Sequence, residues 1–345
     1  MKRRNFKYGL DGTLAFVARH KTPVLLALLT IAVLLPFTTN NVYILRIATL
    51  CAINIVLGLS YNLVHGFMGQ MSFATAAFWG IGAYTGAILI TRFQIPSIIA
   101  MLVSMVVAGF FGWLVALPSL RLKGYYLSIV TMGFCEIVRL VEMNWMQLTR
   151  GPLGIMNIPG FSIFGYDLSS ETASYFIAFT ILIITTVLVT NLTNSNFGLS
   201  LKAIRDDDAA AETMGINIVR TKRANFVISA LICGFIGSFY AQYVTFIHPS
   251  GFTSAISQEY VVMVIFGGLG SIPGTFLGCI ALTIIPELLR SLLQYRLLIY
   301  GVLMVVLMNV KPTGILGNID FSLIRRRSQK LSEQSNTRLP RKDGE

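Results

Sequence analysis

Long apolar runs separated by short polar stretches dominate the chain. A helix needs about 20 mostly apolar residues to cross a bilayer. Candidate runs fall at roughly 23–37, 42–64, 68–91, 97–118, 124–146, 172–191 and 224–246. A further apolar stretch, 258–311, exceeds one crossing. It is interrupted at Gly267-Gly268-Leu269-Gly270-Ser271-Ile272-Pro273-Gly274 and again between Arg290 and Arg296, which predicts pieces at 258–270, 274–293 and 296–311. The first is too short to cross at about 1.5 Å per residue and reads as a half-helix or re-entrant element. The pattern predicts an all-α polytopic membrane protein with about ten transmembrane or half-membrane helices. A basic segment, 1–22, precedes the membrane domain, 23–311, and a basic polar tail, 312–345, follows it.

Composition sharpens this. Of 345 residues, 54% are hydrophobic and 12% charged. Soluble chains carry about 25% charged residues, and half that density cannot coat a water-soluble body. The net charge of +12 is concentrated in 1–21, in the loop 192–224 and in 311–345. Lysine and arginine beside membrane spans stay in the cytoplasm, so both termini and the loop are expected there. Both ends on one side require an even number of crossings: ten, or eight if 258–311 forms a hairpin. Arg121 and Lys123 then lie inside, and the turn-rich segment 147–171 outside. The basic clusters flank apolar spans without interleaved aromatics, so they point to anionic lipid rather than nucleic acid. The N-terminus resembles a secretory signal, but no small-residue cleavage site follows Leu35, and an uncleaved first span is expected. Cys51, Cys135, Cys233 and Cys279 are widely spaced in apolar segments, with no metal-ligand spacing.

Three features carry candidate chemistry. The loop 192–224 contains Arg205-Asp206-Asp207-Asp208-Ala209-Ala210-Ala211-Glu212-Thr213-Met214-Gly215. Residues 201–214 read as one amphipathic helix with Ala203, Ala210 and Met214 on a face, Lys202/Asp206 and Arg205/Asp208 paired, and Gly215 as its stop. Three consecutive aspartates oppose an anionic leaflet, so docking of a cytoplasmic partner is the expectation. The second feature is broken backbone at 267–274 (Gly267, Gly268, Gly270, Ser271), with a weaker break around Gly66, Gly69 and Ser72 leading to Thr75. Such breaks often mark transport pathways. The third is Glu136 with Arg139, one turn apart inside an apolar helix, where pairing lowers the cost of membrane burial; Glu142 follows another turn on.

The run Ala209-Ala210-Ala211-Glu212-Thr213-Met214-Gly215 resembles the coupling loop of ABC importer permeases, closest to the branched-chain amino-acid permease family. Gly69 to Tyr84, Leu120 to Tyr126, Thr131 to Leu140 and Gly267 to Gly274 resemble that family in matching order over roughly 42–310. Ala209 stands where the general motif carries Glu. The resemblance implies an ABC importer permease-like fold in a bacterial inner membrane. It also implies a second homologous permease, two ATP-binding subunits and a periplasmic substrate-binding protein as partners. Residues 205–212, Met214 and Gly215 would then couple to the ATPases. Gly69, Ser72, Thr75, Gly267, Gly268, Gly270 and Ser271 would lie along the translocation pathway.

Absent motifs agree with a transporter subunit. There is no Gly-Lys dipeptide, hence no P-loop; ATP and Mg are expected on partner chains and no cofactor on this one. No convergent acid, base and nucleophile point to an enzyme. An ion-coupled secondary transporter using a carboxylate such as Glu136 is the alternative, and urea or short amides are alternative solutes.

Overall fold

The computed structural model describes residues 41–119, 124–163 and 166–288, together with Pro36, Gly301 and Gly314. Apart from Pro36, Gly301 and Gly314, the expected first span 23–37, Arg121, Lys123, the Arg290–Arg296 break, the piece 296–311 and both basic termini lie outside the described residues. Apart from Pro36, the described residues belong to one compact unit, 41–317.

In chain order the helices are α1 Val42–Asn62, α2 Thr75–Phe93, α3 Ser97–Ser119, α4 Tyr125–Asn144, α5 Met146–Thr149, α6 Glu171–Asn194, α7 Asn196–Asp206, α8 Asp208–Thr213, α9 Ile218–Val244, α10 Ser254–Gly267 and α11 Ile272–Leu288. A π-helical turn, Leu63–Phe67, continues α1. A two-residue hairpin pairs Ser162–Ile163 with Tyr166–Asp167. The fold is otherwise helical, as the apolar periodicity predicts. Among the described residues, four helical stretches are long and apolar enough to cross a membrane: Val42–Phe67, Ser97–Leu117, Glu171–Asn194 and Ile218–Val244. Ser254–Gly267 and Ile272–Glu287 are shorter apolar helices.

Polar residues set the helix starts. Asn41 caps α1 by accepting from the Tyr43 amide at 3.0 Å. Ser170 caps α6 at the Ala173 amide, 3.3 Å, and Asn217 caps α9 at the Arg220 amide, 2.9 Å. Each satisfies an amide that the first helical turn leaves unpaired.

The core is a sandwich of α2, α3 and α9. Small residues let the three backbones approach: a Cβ on Gly82 would collide with the Gly234 backbone, and one on Gly112 would lie 2.5 Å from the Ala230 methyl. Close approach lets dispersion contacts hold helices together where lipid offers no hydrophobic penalty. Phe226, Phe239, Leu57 and Leu59 are fully buried around this centre. At the end of the unit opposite the loop 192–224, Ile155 and Ile247 exchange two backbone hydrogen bonds of 3.0 and 3.1 Å, tying the turn-rich segment to the chain that follows α9.

Two sequence expectations are corrected. The run 68–91 is not helical from its start: residues 69–74 form neither helix nor strand, with Gly69 at φ +75°, and α2 begins at Thr75. The single amphipathic helix 201–214 is two helices, α7 and α8, broken at Asp207. Asp207 turns to extended backbone and its carboxylate accepts from the Ala209 and Ala210 amides at 2.8 and 3.1 Å. The aspartate is worth more as a cap than as a helix-interior residue.

Candidate coupling site where two helix breaks meet

The loop 192–224 folds onto the membrane core through Leu201, Ile204 and Ala211, all buried. That anchoring leaves Arg205 at the end of α7, facing the turn after α1. Its Nη1 donates to the Gly66 carbonyl at 3.1 Å, and its Nε lies 3.5 Å from the Asp206 carboxylate. A π-helical turn shifts the hydrogen-bond register and leaves backbone groups seeking partners; the guanidinium supplies one. On either side of Arg205 sit the two breaks. A Cβ on Gly69 would be 2.7 Å from Arg205 Cγ, and one on Gly270 would be 3.1 Å from Arg205 Nη1 and from the Gly66 carbonyl oxygen. Both glycines have positive φ, +75° and +71°, so a side chain there would meet strain and a neighbour together.

Asn62 joins the breaks from within. Its Oδ1 accepts from the Gly270 amide at 2.9 Å, and its Nδ2 donates to Thr275 Oγ1 at 2.9 Å. It is 1% exposed. Asn225 on α9 donates to the Leu63 carbonyl at 2.8 Å. One contiguous network therefore runs from Arg205 through the turn after α1 to the reversal between α10 and α11. Sequence reasoning missed both asparagines. Their signal was available: an amide inside an apolar span must find partners there.

Side chains satisfy part of the non-helical segment 69–74 and the start of α2. Phe73 donates its amide to Thr131 Oγ1 at 2.9 Å, Ser128 donates to the Met71 carbonyl at 3.0 Å, and Ala76 donates its amide to Ser257 Oγ at 3.0 Å. Irregular backbone inside a membrane core needs such substitutes for the missing helical bonds.

Of the candidate coupling residues, Arg205, Asp206 and Asp207 lie at the break between α7 and α8. Asp208 pairs with Lys222 of α9 at 2.8 Å rather than with Arg205, and Asp206 pairs with the adjacent Arg205 rather than one turn back. Ala211 is buried; Ala209, Ala210 and Glu212 are exposed. Met214 is 84% exposed at the tip, followed by Gly215 at φ +83° with open space around it. A groove of about 350 Å³ opens at the break between α7 and α8, lined by Gly69, Gln70, Gly124, Arg205, Asp208 and Lys222 among others. Of the candidate pathway residues, Gly69 and Gly270 flank Arg205, while Ser72, Thr75, Gly267, Gly268 and Ser271 are buried behind them.

Glu136 and Arg139 form an ion pair at 2.7 Å, and Ser254 Oγ donates to Glu136 at 2.8 Å. They stand away from the coupling corner, level with the far end of α10. Glu142 is 4% exposed, and neither carboxylate oxygen has a hydrogen-bond partner among the described residues. Among the same residues no group of three metal-ligating side chains occurs.

The family profile described as "Branched-chain amino acid transport system / permease component" matches residues 43–308. This chain belongs to that permease family. The high-affinity branched-chain amino acid transport system permease protein LivM of Escherichia coli K12 is 34% identical over 315 residues, 85% of this chain and 74% of that protein. LivM of Salmonella typhimurium is 33% identical over the same share of each chain. LivH of E. coli K12, a permease protein carrying the same system's name, is 24% identical over 280 residues, 76% of this chain and 90% of LivH. No solved structure matches. The permease is thus a multi-pass membrane protein and a transport subunit, of the ABC permease type, rather than an enzyme.

Proposed function

We propose that this permease carries branched-chain or related hydrophobic amino acids across a bacterial inner membrane by alternating access, driven by ATP hydrolysis on two partner subunits. A second family permease and a periplasmic substrate-binding protein complete the assembly. The loop 192–224 and both termini face the cytoplasm, as the basic residues in them favour. ATP and Mg sit on the partner chains, and this chain binds no cofactor. Met214, Glu212 and the neighbouring alanines dock on an ATPase subunit. Arg205 passes its movement to the two breaks, and Gly69, Ser72, Thr75, Gly267, Gly268, Gly270 and Ser271 change the pathway's open side.

The observation that carries this reading is Arg205, held between Gly69 and Gly270 with its guanidinium on the Gly66 carbonyl. One side chain of the loop touches both places where helices stop inside the core. A displacement of α7 cannot leave either break unaffected. In state terms, the nucleotide drives the switch only by binding one arrangement of the ATPase pair more tightly.

The test is reconstitution of the complex purified from native membranes, compared with this chain alone. Leucine accumulation that requires ATP and the co-purified ATPases is expected. Uphill uptake by the chain alone would contradict the proposal and return the ion-coupled alternative.

A further inference from the structure

Two neighbouring helices present broad exposed faces, and their chemistry differs. On α3 the exposed side chains are Ile98, Leu102, Val106, Phe110 and Trp113, among others of the same kind, with no charge. That is what acyl chains require. On α4 the buried face is Leu127, Thr131, Cys135, Val138 and Glu142, packed on α2 and on the turn Pro249–Phe252. The opposite face exposes Ile129, Met132, Ile137 and Leu140. At its middle lie Glu136 and Arg139, with side chains 35% and 27% exposed. Beside them is Gly133, whose Cβ would meet nothing within 4 Å.

Depth decides what this face can meet. Ser254, bonded to Glu136, opens α10, a helix of 14 residues. α4 itself starts at Tyr125, next to Gly124 in the loop-side groove, so Glu136 and Arg139 stand about 17 and 21 Å along it from that side. This is inside a hydrocarbon layer about 30 Å thick. Lipid tails supply no acceptor there. The Arg139 guanidinium carries five N–H groups, and its bonds run from Nε to Glu136 and from Nη1 to the Met143 sulfur at 3.7 Å. Among the described residues its other donors make no hydrogen bond.

We infer that the exposed face of α4 is the contact surface for the second permease subunit, a family member distinct from this chain. The inference rests on the pairing of permeases proposed above. A facing helix brings polar groups to Arg139 and Glu136, whose opposite charges sit one turn apart and fix the register. Bare Gly133 lets its backbone come close. A distinct family member fits because E. coli has two permease proteins under one system's name, and this chain is similar to both. Helix then meets equivalent helix about a pseudo-two-fold axis, as isologous contacts do.

The experiment places a photo-crosslinking amino acid, one at a time, at Ile137 and Leu140 on α4, at Val106 on α3 and at Met214. The full chain is irradiated in native membranes and adducts are identified by mass spectrometry. Protein adducts at 137 or 140 that are a different permease of this family, with lipid adducts alone at 106, are the expected result. Lipid alone, a second copy of this chain, or an unrelated protein at 137 and 140 would overturn the inference. If Met214 captures an ATPase while 137 and 140 capture no permease, this surface is wrong and the coupling proposal stands. If Met214 captures none as well, both fall.

Discussion

The two breaks beside Arg205 are built in opposite ways. The break before α2 is long: six non-helical residues, 69–74, in which the hydroxyls of Ser128 and Thr131 hold Met71 and Phe73, while Ser257 holds Ala76 in the first turn of α2. The break between α10 and α11 is short. Its glycines take positive φ at 268 and 270, and its flanks cross with backbone against backbone at Gly267 and Gly278. Hydroxyls can rotate to follow a shifting strand, whereas crossed glycine backbones admit no second packing without separation. Under the proposed alternating-access function, the first break would be the adaptable element and the second the fulcrum against which it moves.

Substitutions can break this contrast in order of size. Gly270→Val should cost the most, about 3 kcal/mol, because strain at φ +71° adds to a collision with Arg205 and Gly66. Thermal unfolding in detergent reads it. Asn62→Leu should follow at about 2 kcal/mol, since the half-buried Gly270 amide and the buried Thr275 hydroxyl both lose a partner. Thr131→Val should cost about 1 kcal/mol, because Phe73 loses its acceptor in a segment able to readjust. A larger loss for Thr131→Val than for Gly270→Val would reverse the assignment of fulcrum and mobile strand. Away from both breaks, Glu142→Leu should leave stability equal or raise it by about 1 kcal/mol, since it removes a buried polar group without partners. A fall of similar size in the same unfolding assay would show that the carboxylate has a native partner.

Much of the framework was legible from hydropathy. The runs 97–118 and 172–191 correspond to α3 and α6, because a lipid-compatible helix must be apolar along its length, and the run 124–146 corresponds to α4 despite its three charged residues. The weaker break at Gly66, Gly69 and Ser72 was legible, but its extent to Ala74 was not. Met71, Phe73 and Ala74 are as apolar as a helix interior, and nothing local shows that Thr131 and Ser257, distant in sequence, replace the helical bonds. The partner of Arg205 escaped for the converse reason. An intrahelical pair with Asp208 presumes an unbroken helix, and Asp207 breaks it by capping α8. The Glu136–Arg139 pair could be read because both partners lie on one helix. What that pair faces could not, since it depends on which side of α4 its neighbours cover.

The most direct measurement is the ratio of leucine transported to ATP hydrolysed by the complete complex in vesicles, with Arg205→Ala against the unaltered chain. The account predicts that ATPase activity persists within about twofold while the ratio falls about tenfold or more, the equivalent of roughly 1.4 kcal/mol of lost coupling. A ratio unchanged by Arg205→Ala would contradict it.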